Sequence, residues 1–153
     1  MRSFFGGVYV LFLSIFIPSC DQINKSDKYD HLNHRDKIRL RQYLVEGKRL
    51  YQLNCANCHQ LDGAGLARLY PPLKGSDYLI SNKQESICGM RYGQKGEITV
   101  NGISFNQEMP PNLTLTNLEI AEIATYVYTV FADTVQIITI HDVQKLLSSC
   151  KDQ

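Results

Sequence analysis

The pattern of apolar and polar positions breaks the chain into unlike stretches. Apolar residues run almost unbroken from Phe4 to Ile17, behind Arg2, and stop at Pro18-Ser19-Cys20. From Asp21 to about Asp36 the chain is polar, with little to bury, which reads as a flexible tether. Ile38, Leu40, Tyr43, Leu44, Leu50, Tyr51 and Leu53 then recur at roughly helical spacing among Arg35, Lys37, Arg39, Arg41, Lys48 and Arg49, so an amphipathic helix is expected between Asp36 and Asn54. Its basic residues read first as a solvated face.

A loop-rich middle follows, punctuated by Gly63, Gly65, Pro71, Pro72, Gly75, Gly89, Gly93 and Gly96. Within it, Ile98-Thr99-Val100 and Ile103-Ser104-Phe105 flank Asn101-Gly102, a pair that readily takes the positive φ angles of a type I′ turn, so a small β-hairpin is expected. Thr116 stands three residues before Glu119, the capping-box spacing, with Leu115 and Ile120 placed as a hydrophobic staple. A helix should start there and carry Ile120, Ile123, Ala124, Val127, Tyr128 and Phe131 as one stripe, ending near Ala132 or Asp133. Val135 to Ile140 reads as a short strand, and Asp142 to Ser149 as a short terminal helix before Cys150.

The first stretch has the shape of a signal peptide. It is short of the roughly 20 apolar residues that a spanning helix needs, so a leader over residues 1–19 is expected. The aliphatic residue, spacer, small residue and cysteine that end at Cys20 resemble the lipobox of bacterial lipoproteins, in which that cysteine is acylated and becomes the mature N-terminus. The chain then divides into a lipidated N-terminus and tether over 20–36, a domain over 37–133 and an extension packed on it over 134–153. Length and composition, with 153 residues, 44% of them hydrophobic, suit one such core. A formal net charge of +1 gives no basic surface for nucleic acid, and no partner of that class is expected.

The chemistry concentrates in Cys55-Ala56-Asn57-Cys58-His59, the attachment pattern of a c-type haem. On a helical turn, cysteines three apart can each add to one vinyl group on the porphyrin edge, and the adjacent histidine supplies an axial imidazole. A thioredoxin-like centre needs a βαβ setting that the sequence lacks. A zinc site drawing on Cys55, Cys58, Cys88 and Cys150 remains open but leaves His59 without a role. An electron carrier needs a second axial ligand, and Met109, just before Pro110-Pro111 and the capped helix, is the expected one. Met90, inside a glycine-rich segment, reads as a packing residue, and Met1 lies in the leader.

Together with Tyr70-Pro71-Pro72-Leu73-Lys74-Gly75-Ser76 and the final amphipathic helix, these motifs resemble class I cytochromes c over about residues 41–133. The resemblance implies an all-α fold, here with a small β-hairpin insertion before the axial methionine and a C-terminal extension. It implies N- and C-terminal helices crossing beside the haem through Gly47 and Tyr51 against Tyr128 or its neighbours. It also implies that the carbonyl of Pro72 accepts a hydrogen bond from His59, a contact that orients the ring. Pro72 and Leu73 thus join Cys55, Cys58, His59 and Met109 as expected cofactor-binding residues around one covalent haem c. Lys74, Tyr78 and Arg91 are candidate partners for its propionates. The insertion and extension resemble those of cytochrome domains attached to periplasmic oxidoreductases.

With Cys20 assigned to lipid and Cys55 and Cys58 to haem, Cys88 and Cys150 remain, and a disulfide between them is expected in an oxidising compartment. His31, His34 and His141 are scattered, and no nucleophile and base stand together, so an enzyme is not expected. The sequence therefore reads as a monomeric single-electron carrier, anchored by lipid to a bacterial membrane and facing the periplasm or the cell exterior. Its expected partners are redox proteins, an oxidase, reductase or dehydrogenase. A haem-based sensor of small ligands, or a peroxidase-like enzyme with a labile Met109, is the alternative, and a dedicated electron-transfer subunit of a dehydrogenase, oxidase or nitrogen-oxide reductase complex is a third reading.

Overall fold

The computed structural model describes residues 28–150, so the apolar leader and Cys20 lie outside the described residues. The helix expected from Asp36 begins earlier, as α1 (His34–Asn54), because the Asn33 side chain accepts the amide of Asp36 and caps it. Residues 28–33, read from the sequence as tether, fold back on the domain. Lys28 pairs with Asp133, and Lys37 in α1 with Asp30. No helix among the described residues is long and apolar enough to cross a membrane.

A single helical turn, α2 (Ala56–His59), follows α1 directly. Two short helices, α3 (Asp77–Ser81) and α4 (Lys83–Tyr92), lead into a two-stranded hairpin, β1 (Ile98–Val100) and β2 (Ile103–Phe105). Its strands run antiparallel with Val100 opposite Ile103, and Asn101 and Gly102 take φ angles of 51° and 75° at the turn. The turn is docked as well as formed: Asp77 and Asn101 each accept the other's backbone amide through a side-chain oxygen. Val100 and Phe105 are buried, which turns one side of the hairpin inward.

The long apolar helix α5 (Asn117–Val130) starts at the expected capping box, with Thr116 and Glu119 exchanging bonds. Leu115 and Ile120, flanking the cap, are buried. It crosses α1 where Gly47 removes a side chain, and one turn on Tyr51, Tyr126 and Phe131 form a ring cluster with centroids 5.2 to 5.5 Å apart. The neighbour that meets Tyr51 is therefore Tyr126. Tyr128 points elsewhere in the core and donates its hydroxyl to Leu79 O at 3.0 Å.

The segment Val135–Ile140 corrects the sequence reading, since it forms no strand. One of its amides is paired with a side chain rather than a neighbouring strand: the buried Thr125 hydroxyl of α5 accepts the Ile138 amide at 3.0 Å. The terminal helix α6 (Ile140–Leu147) starts two residues before the expected Asp142, because Thr139 and Asp142 form a second capping box. It packs on α4 and α5, with Val143 fully buried, and a disulfide joins Cys150 to Cys88 of α4.

Candidate haem site

The turn α2 has no side-chain cap; it is held by its backbone, with Cys58 and His59 both donating to Cys55 O. Tyr51, a turn before Cys55, donates its hydroxyl to Gln60 O at 2.6 Å and closes the far end of the turn. Cys55, Cys58 and His59 are thereby presented together as one rigid element. Cys55 and Cys58 are free thiols, whereas Cys88 and Cys150 are paired with each other. The four-cysteine zinc alternative is thus removed, and no group of three or more His, Cys, Asp or Glu side chains among the described residues is arranged to hold a metal ion.

His59 Nδ1 lies 3.0 Å from Pro71 O, and a carbonyl only accepts, so Nδ1 carries the proton. The expected partner, Pro72, is corrected to Pro71. The physical reason lies one residue further on, where the amides of Leu73 and Lys74 both donate to Gly63 O and fix the course of the proline pair. Gly65 closes the same loop, since a Cβ there would stand 2.8 Å from Pro71 O. Burial lowers the pKa of His59 more than the Pro71 bond raises it, which favours the neutral ring. A neutral imidazole protonated on Nδ1 keeps the Nε2 lone pair, the donor that binds a metal. Burial, and secondarily Cys58, pushes the Cys55 thiol up to about 12.

Three adjoining hollows with empty volumes near 600, 570 and 470 Å³ share His59 and Met109 on their walls. The first hollow is walled by apolar side chains, among them Leu73, Leu79, Val100, Ile123 and Val127, with Tyr51 and Tyr78. Cys55 lines the first and second of the three, and Cys58 the second and third. The cleft thus brings together five of the six expected cofactor residues, Cys55, Cys58, His59, Leu73 and Met109, and leaves out Pro72. Of the candidate propionate partners only Tyr78 lines it. Arg91 is committed elsewhere, to Leu113 O and Asn117 Oδ1.

Met90, read as a packing residue, is buried and lines two of the hollows beside Met109. Sequence reasoning missed the hairpin's share in the cleft, Ile98 and Val100. The inward share of α5, Ile123 and Val127, was legible as an i, i+4 stripe but not as part of a site.

A planar, largely apolar cofactor with one metal and two points of covalent capture fits this donor set. Two free thiols stand three residues apart, the adjacent imidazole has one nitrogen engaged, and a thioether lines the same apolar cleft.

The profile of the cytochrome c family matches residues 44–131, which span the site from α1 to the end of α5. Two cytochromes c-552 of Thermus thermophilus are each 32% identical over 93 residues, 58% of this chain and 70% or 62% of theirs. The cytochrome c subunit of the quinone alcohol dehydrogenase of Gluconacetobacter polyoxogenes is 37% identical over 46 residues, 30% of this chain and 10% of that subunit. A match across the whole site, and a cleft whose donors suit a covalently held haem, lead to one conclusion: the chain belongs to the cytochrome c family, whose business is electron transfer.

Proposed function

We propose that the protein is an extracytoplasmic one-electron carrier, with one haem attached through Cys55 and Cys58 and its iron held between His59 and Met109. The observation that supports this most is the pairing of His59 and Met109 on the walls of one apolar cleft that also contains both free thiols. A haem bound there supplies a one-electron iron couple whose potential a thioether ligand raises relative to harder ligands. The chain's own residues do the rest. Pro71 O fixes the ring of His59, and the apolar walls exclude water. With His59 and Met109 both holding the iron, no place on it would be left for a substrate, which favours electron transfer over catalysis.

The donor and acceptor are redox enzymes of the envelope, and the alcohol dehydrogenase subunits among the relatives support a dehydrogenase as one of them. The protein works as a monomer held to a bacterial membrane by acylation of Cys20, with residues 21–27 as the link to the domain. Labelled fatty acid should enter the parent protein and not Cys20→Ser.

The visible spectrum of protein made with a cytochrome-maturation system tests the haem reading. A c-type haemochrome in alkaline pyridine is expected, together with the weak long-wavelength band of methionine bound to ferric iron, lost in Met109→Leu. A colourless protein would overturn the reading. Haem c without that band, and with ligand binding at neutral pH, would favour the small-ligand sensor or peroxidase-like alternative.

A further inference from the structure

The strap that carries Met109 is held from behind by the end of α4. Gln94 N–H donates to Met109 O and Met109 N–H donates to Gln94 O, both at 2.9 Å, an isolated antiparallel bridge outside the hairpin. Gly93, the C-cap of α4, is buried beneath the strap with φ near 81°. A Cβ there would stand 2.5 Å from Met109 O, 2.9 Å from Pro111 N and 3.1 Å from Pro110 C. All three are backbone atoms, so no side-chain rotation relieves the contact. Beyond them, Asn112 N–H donates to Arg91 O at 3.1 Å, and the Arg91 guanidinium donates to Leu113 O and Asn117 Oδ1.

We infer that Gly93 and Gln94 are positioning residues for the axial ligand: they clamp the backbone of Met109 so that its thioether stays in the cleft. This rests on the reading of Met109 as an iron ligand. Methionine is unbranched and flexible, with a soft sulfur that competes poorly by itself against a strong nitrogen donor. Fixing its backbone raises its effective concentration at the iron, as any short, stiff link does for a weak binding group. Loosening the clamp lowers that concentration and lets an external ligand in, although neither Gly93 nor Gln94 is itself a proposed ligand.

Gly102 supplies the control. Its φ, near 75°, imposes a similar backbone strain on an alanine, but nothing lies within 4 Å of a Cβ there, and it lines none of the three hollows. Imidazole titration of the ferric, haem-loaded full-length protein then separates strain from contact. Gly93→Ala should bind imidazole at least ~10-fold more tightly than Gly102→Ala, equivalent to ~1.4 kcal/mol, with a weakened methionine band. Gly102→Ala should stay close to the parent. Equal imidazole affinity and an intact band in both variants would overturn the inference alone, whereas a band that survives Met109→Leu would remove the ligand reading and the inference with it. If Gly93→Ala does not fold, amide exchange in the parent decides. The Gln94 and Met109 amides should lose protection together when imidazole displaces the thioether, and unchanged protection would overturn the clamp.

Discussion

Gly47 of α1 sits directly against the backbone of Glu122 in α5, where a Cβ would come within 2.1 Å of Glu122 O and 2.8 Å of Tyr126 Cβ. The helices cross at this contact, and the Tyr51, Tyr126 and Phe131 cluster lies one turn along. Gly47→Ala must push α1 away from α5, and overpacking of this kind costs about 1–3 kcal/mol, sometimes more. Denaturant unfolding of the haem-loaded protein should show that loss. Because Tyr51 also lines the cleft, the haem spectrum should broaden in the same variant. A stability within a few tenths of a kcal/mol of the parent would mean that the crossing is looser than the structure has it.

The cross-link between Cys88 and Cys150 closes a loop of 62 residues, for which the chain-entropy account gives about 4 kcal/mol. Its removal should act at the end of the chain first. In Cys88→Ser/Cys150→Ser, the loss of protection should be several-fold greater for amides of α6, which can then open locally, than for those of α1 and α5, whose protection falls only with the global stability. Mass spectrometry without reduction of the parent should find no free thiol at either position.

What the sequence showed and what it hid divide along the range of the interactions. The CXXCH turn, the Thr116–Glu119 box and the Asn101-Gly102 turn are chemistry between near neighbours, and each is where its residues place it. Both helix starts that the sequence put too late, at His34 and Ile140, are caps closed by aspartate, Asn33 with Asp36 and Thr139 with Asp142, rather than by the usual glutamate. The choice of Pro71 over Pro72 depends on Gly63 and Gly65, and the clamp on Met109 on the end of α4. Neither leaves a local trace. The stretch from Val135 misled for the same reason: it has the residues of a strand, but the amide of Ile138 is paired with a threonine side chain on α5.

Tyr128 gives the protein an alkaline limit. Burial pushes its phenol from 10.0 up to about 12, outweighing a lowering contribution from Ser86, and Tyr51 is raised in the same direction by burial. A folded pKa above the unfolded one means that the stabilisation is complete below pH 10 and is lost as the pH rises toward 12, because only the unfolded chain gives up the proton in that window. The parent should therefore lose stability over this range. Tyr128→Phe should lose it less steeply, by about one proton or ~1.4 kcal/mol per pH unit. At neutral pH the variant should be weaker by ~1 kcal/mol for the lost bond to Leu79 O. Unfolding midpoints measured across the range test both, and equal slopes would place the titration elsewhere.

Thr125 anchors the C-terminal extension from its middle, as the disulfide anchors it from its end. The residue is fully buried in α5, and its hydroxyl accepts the amide of Ile138, itself 3% exposed. Valine has nearly the same shape and no acceptor, so Thr125→Val leaves that amide buried and unpaired, at a cost of about 1–3 kcal/mol. The loss should be felt as faster exchange at Ile138 and at the start of α6. Combining Thr125→Val with Cys88→Ser/Cys150→Ser discriminates between two pictures of the extension. If each anchor holds its own part, the two losses add. If the extension leaves as a unit once either anchor fails, the combined loss falls short of the sum by more than the ~0.5 kcal/mol expected of independent sites. The second result is expected, because Val143, buried between the two anchors, packs only while both ends of its segment are in place.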